Sequence, residues 1–160
     1  MKRTPLKRGT KTLKRTAFKT KRTPQRSQNR SGQAKPKKKP QTITLVKKKL
    51  WEECKRITRE RHGNVCYTCY KQGLEGGNWQ TGHFIASSVC SVDLRYSLDN
   101  LRPQCYHCNI NLSGNWIAYE RHLKSDGVDV DELKERNEAT KNKQYDVTWY
   151  QNKLDEYRNL

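Results

Sequence analysis

Apolar residues take up a helical period once the chain is past its first forty positions. Val46, Leu50, Cys54 and Ile57 share one face, Trp51 widens it, and Gly63 supplies a stop, which predicts a helix over 45–62. Gly76-Gly77 marks a turn, and the runs Trp79–Ile85 and Leu94–Arg102 read as two strands flanking a loop. Three more helices are expected near 108–124, 129–140 and 147–159. Asp146 stands where an N-cap belongs, and Tyr150, Leu154 and Tyr157 form an i, i+4, i+7 stripe. The pattern predicts an α+β body over 44–160, with a small core at 64–124 and flanking helices, the last pair spanning 129–160.

Residues 1–41 carry no such pattern. KRTP occurs at 2–5 and again at 21–24, KRT at 14–16, and Leu6, Leu13 and Phe18 are the large apolar residues before Ile43. Such a segment cannot bury enough surface to offset chain entropy, so a disordered basic tail is expected over 1–41. The charge follows the same division. Residues 1–50 hold 19 of the 34 Lys and Arg and no acidic residue, leaving 15 basic against 16 acidic residues in the remainder.

A block this basic seeks a polyanion, and nucleic acid fits because each neutralised phosphate releases counterions. The tail is too poor in apolar residues for an interfacial membrane helix, and no run approaches the length of a membrane span. No secretory signal is evident, so an intracellular protein with reduced thiols is expected. Hydrophobic residues make up 32% of the chain, too few for a self-sufficient core along its whole length.

Paired cysteines in a reducing compartment read as metal ligands. Cys66-Tyr-Thr-Cys69 and Cys105-Tyr-His-Cys108 are two C-x₂-C turns with 35 residues between them. Each turn can offer two corners of a tetrahedron, so Cys66, Cys69, Cys105 and Cys108 are expected to hold a structural Zn²⁺ with a closed sulfur shell. Such an ion replaces missing burial in a small body. A redox C-x-x-C is the rival reading, weakened by the second pair and by the lack of a βαβ context. Cys54 reads as a buried inert thiol, and Cys90 receives no role.

The interval between the pairs is longer than that of a simple zinc ribbon, and it carries His83, Arg95 and Asn100; Asn109 directly follows the last cysteine. The order resembles the Cys₄ variety of HNH nuclease, with His83, Asn100 and Asn109 in the signature places. It is closer still to the NinG/Rap recombination endonucleases of lambdoid phages. Their pattern is met by Cys66/Cys69, Trp79-Gln-Thr-Gly-His83-Phe84, Leu94-Arg95-Tyr96, Asn100, Cys105/Cys108-Asn109, Ser113-Gly114-Asn115 and Tyr119, so the resemblance covers about 64–160.

The resemblance implies a ββα-metal core and hydrolysis of DNA phosphodiesters, with branched recombination intermediates as substrate. It places the protein in the cytoplasm of a bacterial host and allows a dimer. His83 would be the general base, and Asn109 would offer a carbonyl oxygen to a catalytic Mg²⁺ or Mn²⁺. Asn100 would pin the His-bearing loop, and Arg95 would clamp a phosphate. Each has a plainer reading: a satisfied structural His, a helix N-cap for Asn109, a turn Asn for Asn100, a solvated Arg for Arg95.

Three departures stand out. Gly82 occupies the place where HNH enzymes carry Asp or His before the base, Gln80 the place of an Asp three residues before it, and Leu112 that of a Lys. A zinc-containing nucleic-acid-binding module without catalysis is therefore the alternative. His62 is expected as a cation at a helix C-terminus and His107 as a solvent-facing residue. His122 is left open, and Trp116, Trp149 and the later tyrosines are expected in the core.

Overall fold

The computed structural model describes residues 42–160; the tail expected over 1–41 lies outside them. Thr42 opens the first helix, its hydroxyl accepting from the Leu45 amide at 3.4 Å. That helix, α1, spans Ile43–His62 and ends at Gly63, whose φ of 67° lets its N–H turn back to the Arg59 carbonyl at 2.7 Å. Strands β1 (Trp79–His83) and β2 (Leu101–Cys105) pair antiparallel, with Trp79 opposite Cys105 and His83 opposite Leu101. The connection between them holds α2 (Val92–Arg95) and a 3₁₀ turn at Leu98–Asn100. A single π-helical turn, His107–Asn111, follows β2, and then come α3 (Trp116–Ser125), α4 (Val130–Thr140) and α5 (Val147–Arg158). Mixed helix with a small two-stranded sheet is the α+β class the pattern predicts. None of the described helices is long and apolar enough to cross a membrane.

Two elements differ from their sequence reading. The strand expected over Leu94–Arg102 is a helical turn and a 3₁₀ turn, and the strand begins only at Leu101. Apolar residues at 94, 96 and 98 imitate strand alternation. However, Ser91 caps a turn by accepting from the Leu94 amide at 3.2 Å, and buried Asn100 holds the segment compact. The helix expected over 108–124 is broken. Ser113, Gly114 and Asn115 follow one another at φ of 49°, 89° and 47°, and three left-handed residues cannot carry a right-handed helix forward. The helix therefore restarts at Trp116.

Apolar side chains gather in three small clusters. The α1 stripe packs on Tyr150, Leu154 and Tyr157 of α5, together with Tyr96 and Leu101. Leu74 and Trp79 surround Cys66, Cys105 and Cys108. Tyr119, Leu123 and Val130 join α3 to α4, with Tyr67 and Phe84 against them. At roughly 1.5–3 kcal/mol per fully buried large side chain, the middle cluster is too thin to hold its loops without its sulfurs.

Candidate functional site

The four sulfurs expected to act together do meet. Cys66 and Cys69 lie in a turn closed by Tyr70 N–H to the Cys66 carbonyl and by Cys66 N–H to the Lys71 carbonyl, both at 2.8 Å. Tyr67 N–H donates to the Pro103 carbonyl at 2.8 Å, docking this turn on β2 beside Cys105. The ligand atoms of Cys66, Cys69, Cys105 and Cys108 all lie within 4.8 Å of one another, and Cys69 Sγ is 3.8 Å from Cys105 Sγ. A tetrahedron with metal–sulfur bonds of about 2.3 Å has edges of about 3.8 Å, so the spacing fits an ion and is far too long for a disulfide. The Cys108 amide reaches Cys105 Sγ at 3.4 Å and the Asn115 side-chain amide reaches Cys108 Sγ at 3.7 Å, as donors to thiolates should.

Burial opposes ionisation of Cys66, but its hydrogen bonds with Thr68 and neighbouring amides outweigh this and bring it down to about 6. Burial pushes Cys69 up to about 12 and Cys105 upward. Such a set of thiols ionises together only around a cation. Outside the cluster, Cys54 is a buried thiol raised to about 12 by burial, and Cys90 is half-buried with its thiol raised by burial.

Beside this cluster a cleft of about 390 Å³ is lined by Trp51, Thr81, His83, Phe84, Ser87, Asn109, Ile110, Ser113 and Gly114, among others. His83 ends β1, and its ring lies flat on the Trp51 indole, with centroids 5.3 Å apart and planes 7° apart. Its Nε2 is 3.1 Å from the Arg95 carbonyl. A carbonyl only accepts, so Nε2 carries the proton and the Nδ1 lone pair is left without a partner among the described residues. Burial lowers the His83 pKa from 6.5, and the Arg95 guanidinium lowers it further against the backbone hydrogen bond. The imidazole is therefore neutral at neutral pH.

Asn109 sits on the π turn, its Nδ2 donating to Gln80 Oε1 at 2.9 Å, which leaves its own Oδ1 as the free ligand atom. Asn100 is fully buried and lies behind the cleft. Its Oδ1 accepts from Ile85 N–H at 2.8 Å, and its Nδ2 donates to the Ile85 and Leu94 carbonyls at 3.2 and 3.1 Å. Its backbone carbonyl accepts from Phe84 N–H at 3.0 Å, so it ties down the chain that follows His83. Arg95 is exposed; its guanidinium bonds the Ser87 carbonyl, and it borders a second hollow of about 280 Å³ with Trp51 and His83.

Gly82 is not an open ligand position. A Cβ there would stand 2.0 Å from Gln104 Oε1, and Gln104 is fully buried, donating to Thr68 Oγ1 at 3.2 Å and to the Gly114 carbonyl at 2.7 Å. Strand alternation turns position 82 away from the face that carries Thr81 and His83.

Two readings of other residues change, and one left open is answered. His62, expected as a cation, is pushed down to about 4 by burial and by Arg102 and Arg61, so it is neutral. His122 does not face the cleft: it is buried, 2.8 Å from the Tyr67 carbonyl and edge-on to Tyr67. Trp116, expected in the core, is 58% exposed. Sequence reading also missed Trp51 as the partner of His83, and Thr81, whose buried hydroxyl has no hydrogen-bond partner. The i, i+2 relation to His83 was the available signal for Thr81; nothing local marked Trp51.

Neither the curated proteins nor the solved structures contain a significant match to the chain. A family model does match: that of the Bacteriophage Lambda NinG protein fits residues 1–160, and the chain belongs to the NinG family.

Proposed function

We propose that the protein is a metal-dependent endonuclease that hydrolyses DNA phosphodiester bonds, with branched recombination intermediates as substrate. The observation that carries this reading is the cleft wall on which a neutral His83, with Nδ1 free, stands with Asn109, whose Oδ1 is free. His83 Nδ1 takes a proton from a water; the water oxygen bonds phosphorus, and the bond from phosphorus to the leaving 3′-oxygen breaks, that oxygen taking a proton from solvent. Trp51 and the Arg95 carbonyl fix the plane and tautomer of the base.

The donor set offers a divalent cation one free amide oxygen and nearby hydroxyls, so the remaining anionic ligands would come from substrate phosphate. Bound there by Asn109, Mg²⁺ or Mn²⁺ would polarise the phosphoryl group and stabilise the leaving oxygen. Zinc is the ion proposed for the four cysteines, because four thiolates at tetrahedral spacing suit it. The basic residues of the N-terminal stretch would add affinity for phosphate without reading sequence.

A non-catalytic zinc module that binds nucleic acid is the second reading. It is favoured by one observation: no carboxylate lines the cleft among the described residues. One experiment separates the two. Purified protein and His83→Ala are incubated with junction, flap, duplex and single-stranded DNA in Mg²⁺ or Mn²⁺. The nuclease reading expects cleavage by the wild type and a loss on the order of 10²–10⁴-fold in the variant, with zinc content and DNA affinity retained. Binding without cleavage by either protein would leave the module.

A further inference from the structure

The start of α3 presents apolar residues to solvent beside the cleft. The helix buries Tyr119, His122 and Leu123, yet its first two residues, Trp116 and Ile117, are 58% and 68% exposed. Ile110 and Leu112 on the preceding turn are 50% and 46% exposed. Two turns gather this stretch: Ser113 N–H donates to the Ile110 carbonyl at 3.2 Å and Asn115 N–H to the Leu112 carbonyl at 2.9 Å. Ile110, Ser113 and Gly114 line the cleft that holds His83, and Trp116 begins two residues farther on. The exposed residues therefore follow directly in the chain on those of the cleft wall.

Its charge says what should cover it. A groove of about 480 Å³ is lined by Trp116, Ile117, Glu120, Arg121 and Lys124. Glu120 is engaged by Lys124 at 3.0 Å and by Lys134 at 3.1 Å. Arg121 is exposed and has no ion-pair partner among the described residues. The groove thus joins an open indole to net positive charge. A second copy docked there about a two-fold axis would bring two patches of net positive charge together, an unfavourable pairing. A nucleotide offers the opposite combination, a flat apolar base with a phosphate attached.

We propose that Trp116, backed by Ile117, is a stacking platform for an unpaired base of the DNA strand that enters the His83 cleft, with Arg121 on an adjoining phosphate. The proposal rests on reading the cleft as a phosphodiester site. Bases inside a duplex have both faces covered by their neighbours, so the platform selects DNA with an unpaired base next to the scissile region, as at a flap.

The full chain is titrated, without added Mg²⁺ or Mn²⁺, onto a flap duplex carrying 2-aminopurine as the first unpaired base, and onto the matching unbroken duplex. Wild type and Trp116→Phe should quench the 2-aminopurine fluorescence; Trp116→Ala should not, and it should bind the flap about tenfold more weakly or worse. Its affinity for the unbroken duplex should stay within about twofold of wild type, since no base is free to stack there. Unaltered quenching in Trp116→Ala, or an equal loss on both DNAs, would overturn the platform. So would a dimer in sedimentation that becomes monomeric in Trp116→Ala, which would make the face a contact between copies. Because this readout needs no cleavage, a failure of His83-dependent hydrolysis would sink the nuclease reading and leave the stacking result standing.

Discussion

The cysteine cluster and the cleft beside it are built from neighbouring stretches of chain, yet they are determined very differently. In the cluster, four sulfurs lie within 4.8 Å of one another and receive backbone and side-chain donors; each C-x₂-C turn places its own pair. In the cleft, one imidazole on β1 and one amide oxygen on the π turn line the same hollow, the imidazole held by Trp51 on α1 and the Arg95 carbonyl on α2. The first is a closed shell and suits architecture. The second leaves acceptor atoms open, which suits chemistry on something that enters.

The hardest way to test this contrast is to open the closed shell. Cys66→Ser should unfold the described body rather than weaken one corner of it, because the second apolar cluster consists largely of the cysteines with Leu74 and Trp79. Metal-binding free energy of about 10 kcal/mol or more would exceed much of the roughly 5–15 kcal/mol that holds a domain together. Circular dichroism and elemental analysis check it. A variant that keeps its fold and cooperative melting without bound metal would show that the thiols are ordinary core residues.

The same contrast explains what the sequence could disclose. The α1 stripe, the Gly63 stop, the Asp146 cap and the Tyr150, Leu154, Tyr157 face are local patterns, and the structure has them. The cysteine pairs are local twice over. The connection between the strands was misread because Leu94, Tyr96 and Leu98 alternate while the Asn100 side chain, bonded twice to Ile85 and once to Leu94, decides the conformation. The break before α3 was legible in Ser113-Gly114-Asn115, had the triplet been weighed as backbone and not only as a motif. Trp51 could not be assigned, since nothing in its own helix says that a strand 28 residues later returns to its face.

A smaller effect tests why glycine stands at position 82, where the HNH pattern has Asp or His. Gly82→Ala should cost about 2–4 kcal/mol of stability, because Gln104 must give up its bonds to Thr68 and Gly114 or overlap the new methyl. In a Gln104→Ala background the same substitution should cost far less, the coupling expected of residues in contact. Urea unfolding of the four proteins gives the answer. Purely additive losses would mean that Gly82 is free to accept a side chain and that its identity needs another explanation.

The smallest expected change is a shift along the pH axis, and it tests whether the cleft borrows its chemistry from α1, outside the two strands and the π turn. The base must be neutral to accept a proton, so cleavage should rise as pH passes upward through the His83 pKa. Burial holds that pKa below 6.5, which puts the acid limb on the low side of the ordinary imidazole range. The Trp51 indole covers one face of the ring, so Trp51→Ala admits water and should move the limb upward, toward 6.5, while Trp51→Phe should hold it near its original place. The loss at the pH optimum should stay below that of His83→Ala, because the ring keeps its bond to the Arg95 carbonyl. A limb that stays fixed in Trp51→Ala would mean that the rest of the cleft keeps the imidazole dry. A purely structural indole would lower activity at every pH alike and leave the profile where it was.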